Sequence, residues 1–368
     1  MKIIQINYSL TSGGGERFVV DLSNELSKNT DNTITLLTIV DDAPAPNRHY
    51  LNELSKNVNY VNLHCKHGFS VTSIIKLYQY IKKNKPDIVH IHCNNTLIFF
   101  PAIFLRKSKY FITLHSLIPL CLRYKMQKYI DLILFKKGLI TPITISKECH
   151  KSFINTYNLN KDITIINGRS SLKLSNLLPN VKNEIDSLKN DKEDLIFIHI
   201  ARFNPVKNQK LLFKAFEELA KKNNHFQLLV IGSGFDKCEY IPQNTHIHIL
   251  GEKKNIGDYL YFSDFFVLTS LMEGLPLSLL EAMSMGVIPV TTPAGGIKDV
   301  IRNRENGYIS KTFELNDFIN TIEIAIKEHK CINKEYLINE FNKFYSMRAC
   351  ASQYFNLYSK SINNRISI

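Results

Sequence analysis

The sequence predicts an α/β protein of two domains, each built on a parallel sheet. Three observations lead there. At 368 residues the chain is long for a single core and comfortable for two. Apolar runs of strand length alternate with segments of helical period along nearly the whole chain, the pattern of parallel sheets joined by crossover helices. The strand, turn and helix that open the chain also start afresh at Leu195, after the polar, irregular stretch 169–194. The expected division is a first domain over 1–168, a linker over 169–194, a second domain over 195–345, and a helix and tail over 346–368.

Composition narrows the class. Hydrophobic residues make up 44% of the chain, enough for ordinary globular cores. There are seven cysteines, and no Cys-x-x-Cys pair occurs. Cys65, Cys93, Cys121 and Cys149 are evenly spaced, but their flanking residues do not match, so neither a repeat nor a metal site is expected. Scattered cysteines in odd number suit reduced thiols and a cytoplasmic setting. No secretory segment is read before the first strand. The longest apolar run, Leu97 to Leu105, falls well short of the roughly 20 residues that span a bilayer.

The net charge is +13, which would suit nucleic acid, an anionic membrane surface or phosphate-bearing substrates. Its local distribution is more informative. Arg106, Lys107, Lys109, Arg123, Lys125, Lys128, Lys136 and Lys137 cluster against one acid, Asp131, and are interleaved with apolar residues. Such a stretch is either a peripheral contact with an anionic inner-membrane surface or a solvated face beside a core helix. No recognisable nucleic-acid module accompanies the charge, so nucleic acid is not an expected partner.

In the first half, the strand at Ile3–Ile6 runs through Gly13, Gly14 and Gly15 into a helix with Phe18, Val19, Leu22 and Leu26 at helical spacing. Three glycines there let the backbone approach a ligand closely, although a tight βα turn alone would also use them. The pattern is neither Gly-x-Gly-x-x-Gly nor a P-loop, which weighs against NAD and ATP. Strands over 33–40, 59–63, 86–92, 110–114, 140–146 and 163–167 follow, with a helix over 74–83. His92 and His115 fall at carboxyl ends of strands, where ligands bind in open α/β sheets, though a lone histidine is more often structural.

The second half opens with strand 195–201, followed by Arg202, Lys207 and a helix from Gln209. A strand end, two cations and a helix start make a pyrophosphate clamp, with Arg202 bidentate and Lys207 a point charge. Two surface cations in a loop are the plainer alternative. Gln227–Ile231 ends in Gly232-Ser233-Gly234, and 246–251 is a strand and turn expected beside a nucleotide base.

Strand 265–270 then delivers the run SLMEGLPLSLLEAMSMGVIPVTTPAGG, residues 270–296. Pro276 cannot sit inside a helix but suits its start, and Gly286 suits its end. Glu273 and Gly274 therefore lie at the mouth of a helix that carries Glu281 two turns on. Free N–H groups of Leu275, Leu277 and Ser278 attract phosphate, and a carboxylate accepts from hydroxyls. A ligand with a phosphate end and a hydroxyl-bearing end fits, as a nucleotide sugar does. A helix-cap acid at Glu273 with a solvated Glu281 fits the same residues.

The motif Glu-Gly-Leu-Pro-Leu-Ser-Leu-Leu-Glu-Ala-Met over 273–283, with Gly-Val-Ile-Pro-Val and Ala-Gly-Gly-Ile after it, resembles the signature of retaining glycosyltransferases of family 4, which have the GT-B fold. The resemblance covers about residues 1 to 360. Gly14-Gly15-Glu16 is similar to the family's Gly-Ala-Glu turn, with Gly15 in place of Ala. Pro86 to His92 is similar to its Pro-Asp-Ile-Val-His-x-His, and Thr113-Leu114-His115 to its Thr-x-His. Arg202 to Asn208 resembles its Arg-Leu-x-x-x-Lys-Asn, with Ala201 in place of the preceding Gly. The chain departs where Arg169-Ser170 replaces a Val-Asp and where Asp299 replaces a more usual Glu.

The resemblance implies two Rossmann-like domains facing a central cleft, with the C-terminal helix crossing back to the first. It implies transfer of a sugar with retention, from a nucleotide diphosphate sugar, with UDP the expected nucleotide. The acceptor would be a growing or lipid-linked glycan in capsule, O-antigen or exopolysaccharide synthesis. Arg202 and Lys207 would carry the leaving charge without a metal, cofactor or Asp-x-Asp motif. Glu273 would hold sugar hydroxyls, Glu281 the ribose, and His115 the donor sugar. The three glycines at 13–15, with Gly232, Gly274, Leu275, Leu277 and Ser278, would complete the donor site. A sugar-nucleotide epimerase can share this fold and stays open, as does a basic nucleic-acid-binding protein.

Overall fold

A computed structural model describes residues 1–11, 13–41, 50–68, 71–93, 96–118, 125–222, 225–238, 240 and 242–363, apart from the side chains of 96, 97 and 125. The chain divides into two compact units, 1–169 with 346–368, and 170–345. Arg123 and the side chain of Lys125, both assigned above to the basic stretch, lie outside the described residues.

The first unit holds strands β1 (Lys2–Asn7), β2 (Thr33–Val40), β3 (Val58–Cys65), β4 (Ile88–Ile91), β5 (Lys109–Leu114), β6 (Thr141–Thr144) and β7 (Ile163–Thr164). They form one parallel sheet in the order β3-β2-β1-β4-β5-β6-β7. Because side chains alternate across a strand, each apolar run feeds two cores. Ile4, Ile6, Leu37, Val89 and Ile112 enter one; Ile3, Ile34, Leu36, Ile88 and Phe111 enter the other. The second core is roofed by helix Gly14–Leu26 and the C-terminal helix Met347–Asn363, which contributes Met347, Cys350, Tyr354 and Tyr358. Gly168 admits that helix: a Cβ there would lie 2.5 Å from the Cβ of Cys350.

Arg169, the residue that departs from the family pattern, turns inward. It is buried and ion-paired with the buried Asp21, which also receives Arg17 at 2.9 Å. Each charge thus has a partner, without which burial would be prohibitive.

The second unit holds β8 (Leu195–Ile200), β9 (Phe226–Ile231), β10 (Ile247–Gly251), β11 (Phe265–Leu268), β12 (Ile288–Thr291) and β13 (Tyr308–Ile309). They form a second parallel sheet, in the order β10-β9-β8-β11-β12-β13. In both sheets the strand order reverses beside the first strand, between β1 and β4 and between β8 and β11. Ligand crevices of open α/β sheets form at such points.

The stretch 169–194 is more than the irregular linker that its polarity suggests. Residues 178–188 form a helix, with Pro near its start and Val181 and Ile185 buried one turn apart. From residue 170 the stretch belongs to the second unit. Its Ser175 hydroxyl and N–H donate to Asp258, and Tyr259 donates to Glu184 at 2.6 Å.

Candidate active site

The second unit gathers the residues expected to carry chemistry. Arg202 and Lys207 follow β8, and Glu273 follows β11, the strand beside it. The loop after β8 is anchored from beneath. Buried Gln209 donates to the Arg202 carbonyl at 2.9 Å, and the Thr269 hydroxyl donates to the carbonyls of Lys207 and Asn208 at 3.0 and 3.1 Å. The Leu271 N–H donates to the Val206 carbonyl at 2.8 Å, which ties the two loops together.

Across this junction the Lys207 ammonium donates to Glu273 Oε1 at 2.6 Å, and the Ser270 hydroxyl donates to the same oxygen at 2.6 Å. The carboxylate is only 12% exposed and Lys207 25%, so the pair is held within the fold. Glu273 Oε2 has no partner among the described residues and stays available to accept from a hydroxyl. The Arg202 guanidinium is exposed and has no side-chain partner among them. Charge of both signs is therefore fixed within one loop pair: an anchored carboxylate, a half-buried ammonium and an exposed guanidinium.

The loop 271–276 is shaped from behind by Gly295, whose φ is +50°. A Cβ there would overlap the Glu273 carbonyl oxygen, so only glycine lets the chain close behind the acid. Helix Leu277–Ser284 begins as expected, with Pro276 as its cap residue. The N–H groups of Leu277 and Ser278 have no acceptor within it. Gly274 lies in the loop before it, Leu275 is buried, and Glu281, further along the helix, is buried as well.

Gly232 sits at the end of β9, and the Phe203 N–H donates to the Ser233 carbonyl at 2.9 Å. Gly232, Ser233 and Gly234 line a cavity of about 570 Å³ with Phe235, Ile247, Ile249, Gly251 and Glu252. Its volume lies in the range of small-ligand sites. Sequence reasoning placed only the strand 246–251 and its turn beside a base. The apolar Phe235 carried no periodicity or motif that could mark it.

The first unit gathers the glycine turn and His115 at the same sheet end. Gly13 caps helix Gly14–Leu26, and the His115 ring lies in van der Waals range of where a Gly15 Cβ would be, 3.7 Å. Phe18 packs edge-on to that ring with centroids 5.1 Å apart. His92 stacks on it at 5.5 Å, and His90 lies beneath His92 at 4.1 Å.

Burial holds all three imidazoles neutral. His115 is brought down to about 4, while burial and then neighbouring histidines hold His90 and His92 well below the ordinary value. Below about pH 6.5 the unfolded chain binds protons that these folded histidines refuse, so stability falls as pH falls. The slope reaches up to about 1.4 kcal/mol per pH unit for each histidine. Denaturant titrations at pH 7, 6 and 5 should show a progressive loss of stability. A flat profile would mean that these histidines are not held neutral.

Among the described residues, no group of three or more His, Cys, Asp or Glu side chains is placed to hold a metal ion. None of the helices among them is long and apolar enough to cross a membrane.

Comparison with known proteins follows the same division. Residues 12–168 match the family described as Glycosyltransferase Family 4, and residues 180–340 match Glycosyl transferases group 1. A crystal structure of Anabaena Alr3699/HepE in complex with UDP shares the fold, with a TM-score of 0.79 over 98% of this chain and all of that one, at 16% identity. The chain belongs to the GT-B glycosyltransferases.

Among curated relatives of this glycosyltransferase, an Escherichia coli UDP-Gal:alpha-D-GlcNAc-diphosphoundecaprenol alpha-1,3-galactosyltransferase is 25% identical over 73% of this chain and 75% of its own length. The Bacillus anthracis N-acetyl-alpha-D-glucosaminyl L-malate synthase is 31% identical over 40% of each chain.

Proposed function

We propose that this glycosyltransferase transfers a sugar with retention from a UDP-sugar to a lipid-linked or growing glycan in surface-polysaccharide synthesis. The observation that carries this reading is the Lys207–Glu273–Ser270 constellation at the β8/β11 reversal, with Arg202 exposed on the same loop. Transfer develops positive charge on the sugar and negative charge on the departing diphosphate. Arg202 and Lys207 meet the diphosphate. Glu273 Oε2 accepts from sugar hydroxyls while Lys207 and Ser270 hold the other oxygen.

Glu281 takes the ribose, and the cavity beside Gly232 takes the base. Within the first unit, the glycine turn over 13–15 and His115 are the residues we propose for contact with the donor. No metal is assigned a role, since the fixed cations answer the leaving charge. The E. coli relative's named reaction and the UDP held by the Anabaena structure support the choice of donor and the diphosphate-lipid class of acceptor.

Incubating the protein with UDP-sugars in chelator and a polyprenyl diphosphate glycan tests this. An acceptor-dependent product with the donor's anomeric configuration is expected. Donor turnover without acceptor would favour an epimerase, and an inverted product would refute retention.

We also propose that the enzyme works on an anionic membrane surface, at the cytoplasmic face. Met126 is 72% exposed and Tyr129 65%, with Ile133 exposed one turn on. Phe100 and Phe104, exposed and with tilted rings 4.9 Å apart, lie on the short helix Phe100–Phe104, which packs against helix Val71–Asn84 with its exposed Val71 and Ile75. Arg106 and Lys107 are exposed beyond it, and Lys109 and Lys128 are half-buried. A face both apolar and basic suits the headgroup boundary. Neutralising Arg106, Lys107 and Lys128 together should weaken binding to anionic vesicles about a hundredfold, at about 1 kcal/mol per charge. UDP binding should be unchanged. Undiminished vesicle binding would sink the membrane face.

A further inference from the structure

We infer that the C-terminal helix sets the tautomer of His115, through Gln5 and His92, so that His115 presents an unprotonated Nδ1 as a hydrogen-bond acceptor. The inference rests on the proposed place of His115 at the donor sugar and deepens it.

The geometry is a continuous buried chain. His92 Nε2 lies 2.6 Å from Gln5 Oε1, and His92 Nδ1 lies 3.2 Å from His115 Nε2. At its other end, the Gln5 amide nitrogen is 3.5 Å from the Tyr358 hydroxyl, which lies 2.5 Å from His90 Nδ1. His90 Nε2 lies 2.8 Å from the Thr113 hydroxyl, and that hydroxyl is 3.1 Å from Tyr354. Gln5, His90, His92 and Thr113 are buried, as are both tyrosines.

The direction of every proton follows from one end. A separation of 2.6 Å is short for N–H···O and too short for N–H···N, so the Gln5 oxygen, not its nitrogen, faces His92. His92 Nε2–H therefore donates to Gln5. A neutral imidazole carries one proton, so His92 Nδ1 can only accept, and His115 Nε2–H must donate to it. His115 Nδ1 is left bare and has no partner among the described residues.

The far side agrees. The Gln5 amide nitrogen can only donate, so Tyr358 accepts from it and spends its own proton on His90 Nδ1. His90 Nε2–H then donates to Thr113, and Thr113 to Tyr354. In this arrangement every link has one donor and one acceptor, and reversing the His92–Gln5 link would require turning the Gln5 amide and reversing the Tyr358–His90 link with it. Burial supports the assignment by keeping the imidazoles neutral. Gln5, His92 and Tyr358 act on the reaction only through His115 and are positioning residues.

The test uses full-length protein labelled with ¹⁵N-histidine, whose long-range ¹H–¹⁵N pattern distinguishes the two tautomers. The His115 signal is assigned by its loss in His115→Asn. In the wild type at pH 7, His115 is expected as the Nε2–H form. Gln5→Met removes the acceptor that holds His92 and should give His115 a mixed pattern. It should also lower kcat about fivefold, the worth of one hydrogen bond, with little change in KM. Gln5→Glu keeps an acceptor at that position and should restore both the pattern and kcat. Tyr358→Phe releases the other end of the amide and should mix the tautomers even where Gln5→Met fails to fold.

A wild-type His115 carrying Nδ1–H, or a pure Nε2–H form in both Gln5→Met and Tyr358→Phe, would overturn the relay. Mixed tautomers with undiminished turnover would uphold the relay and instead refute the placement of His115 at the donor sugar.

Discussion

Arg202→Ala should lower kcat/KM for sugar transfer by about 2–4 kcal/mol of transition-state stabilisation, the scale of one lost oxyanion donor. The side chain is exposed and has no side-chain partner among the described residues, so nothing in the fold depends on it. Surface substitutions of that kind usually leave stability within about 0.5 kcal/mol. The expected signature is a large kinetic loss with an unchanged melting temperature. Arg202→Lys should recover only part of it, because an ammonium cannot make the planar two-point contact of a guanidinium. Initial rates at saturating acceptor, paired with thermal unfolding, measure both quantities. Near-normal turnover in Arg202→Ala would remove the guanidinium from the mechanism.

Glu273→Gln should separate binding from chemistry. The substitution keeps the shape but discharges the group that holds Lys207 at 2.6 Å. With the carboxylate gone, Lys207 turns its whole charge on a bound diphosphate, so UDP should bind at least as tightly as in the wild type. Transfer should nevertheless fall by about 2–3 kcal/mol, the worth of hydrogen bonds to a charged group. The carboxylate is only 12% exposed, so losing the ion pair should cost about 1–3 kcal/mol of stability even with the amide oxygen still accepting from Lys207. Calorimetric UDP affinity and steady-state rates on the same preparation decide the matter. Unchanged rates would return Glu273 to the role of a helix-mouth acid.

The parts of this enzyme that were legible in sequence are those written in local pattern. Buried parallel strands are continuous apolar runs, so β1, β2, β8 and β9 stand out as such. The helix start at Pro276 and its end before Gly286 follow from backbone chemistry that proline and glycine impose locally. The contacts that make the site were not legible. Lys207 and Glu273 lie 66 positions apart, and only the adjacency of β8 and β11 brings them together.

The same holds for Arg169, which reads only as part of a departure from the family's Val-Asp until its partner Asp21, 148 positions away, is seen beside it. His90 reads only as an unremarked position of the Pro86–His92 motif, yet it is buried against Tyr358, 268 positions on. Helix 178–188 was missed because only Val181 and Ile185 mark its buried face within a polar stretch. That two-residue stripe is weaker than the apolar periodicity of helix Gln209–Lys222, which buries seven residues.

We propose that Arg202 and Lys207, after β8, together hold a nucleoside diphosphate. Titration calorimetry of UDP, GDP, ADP and CMP in chelator, on wild type and on Arg202→Ala, tests it most directly. The account predicts that UDP binds the wild type, that the other nucleotides bind weakly or not at all, and that Arg202→Ala abolishes UDP binding. UDP binding of equal strength in Arg202→Ala, or no nucleotide binding by the wild type, would contradict it.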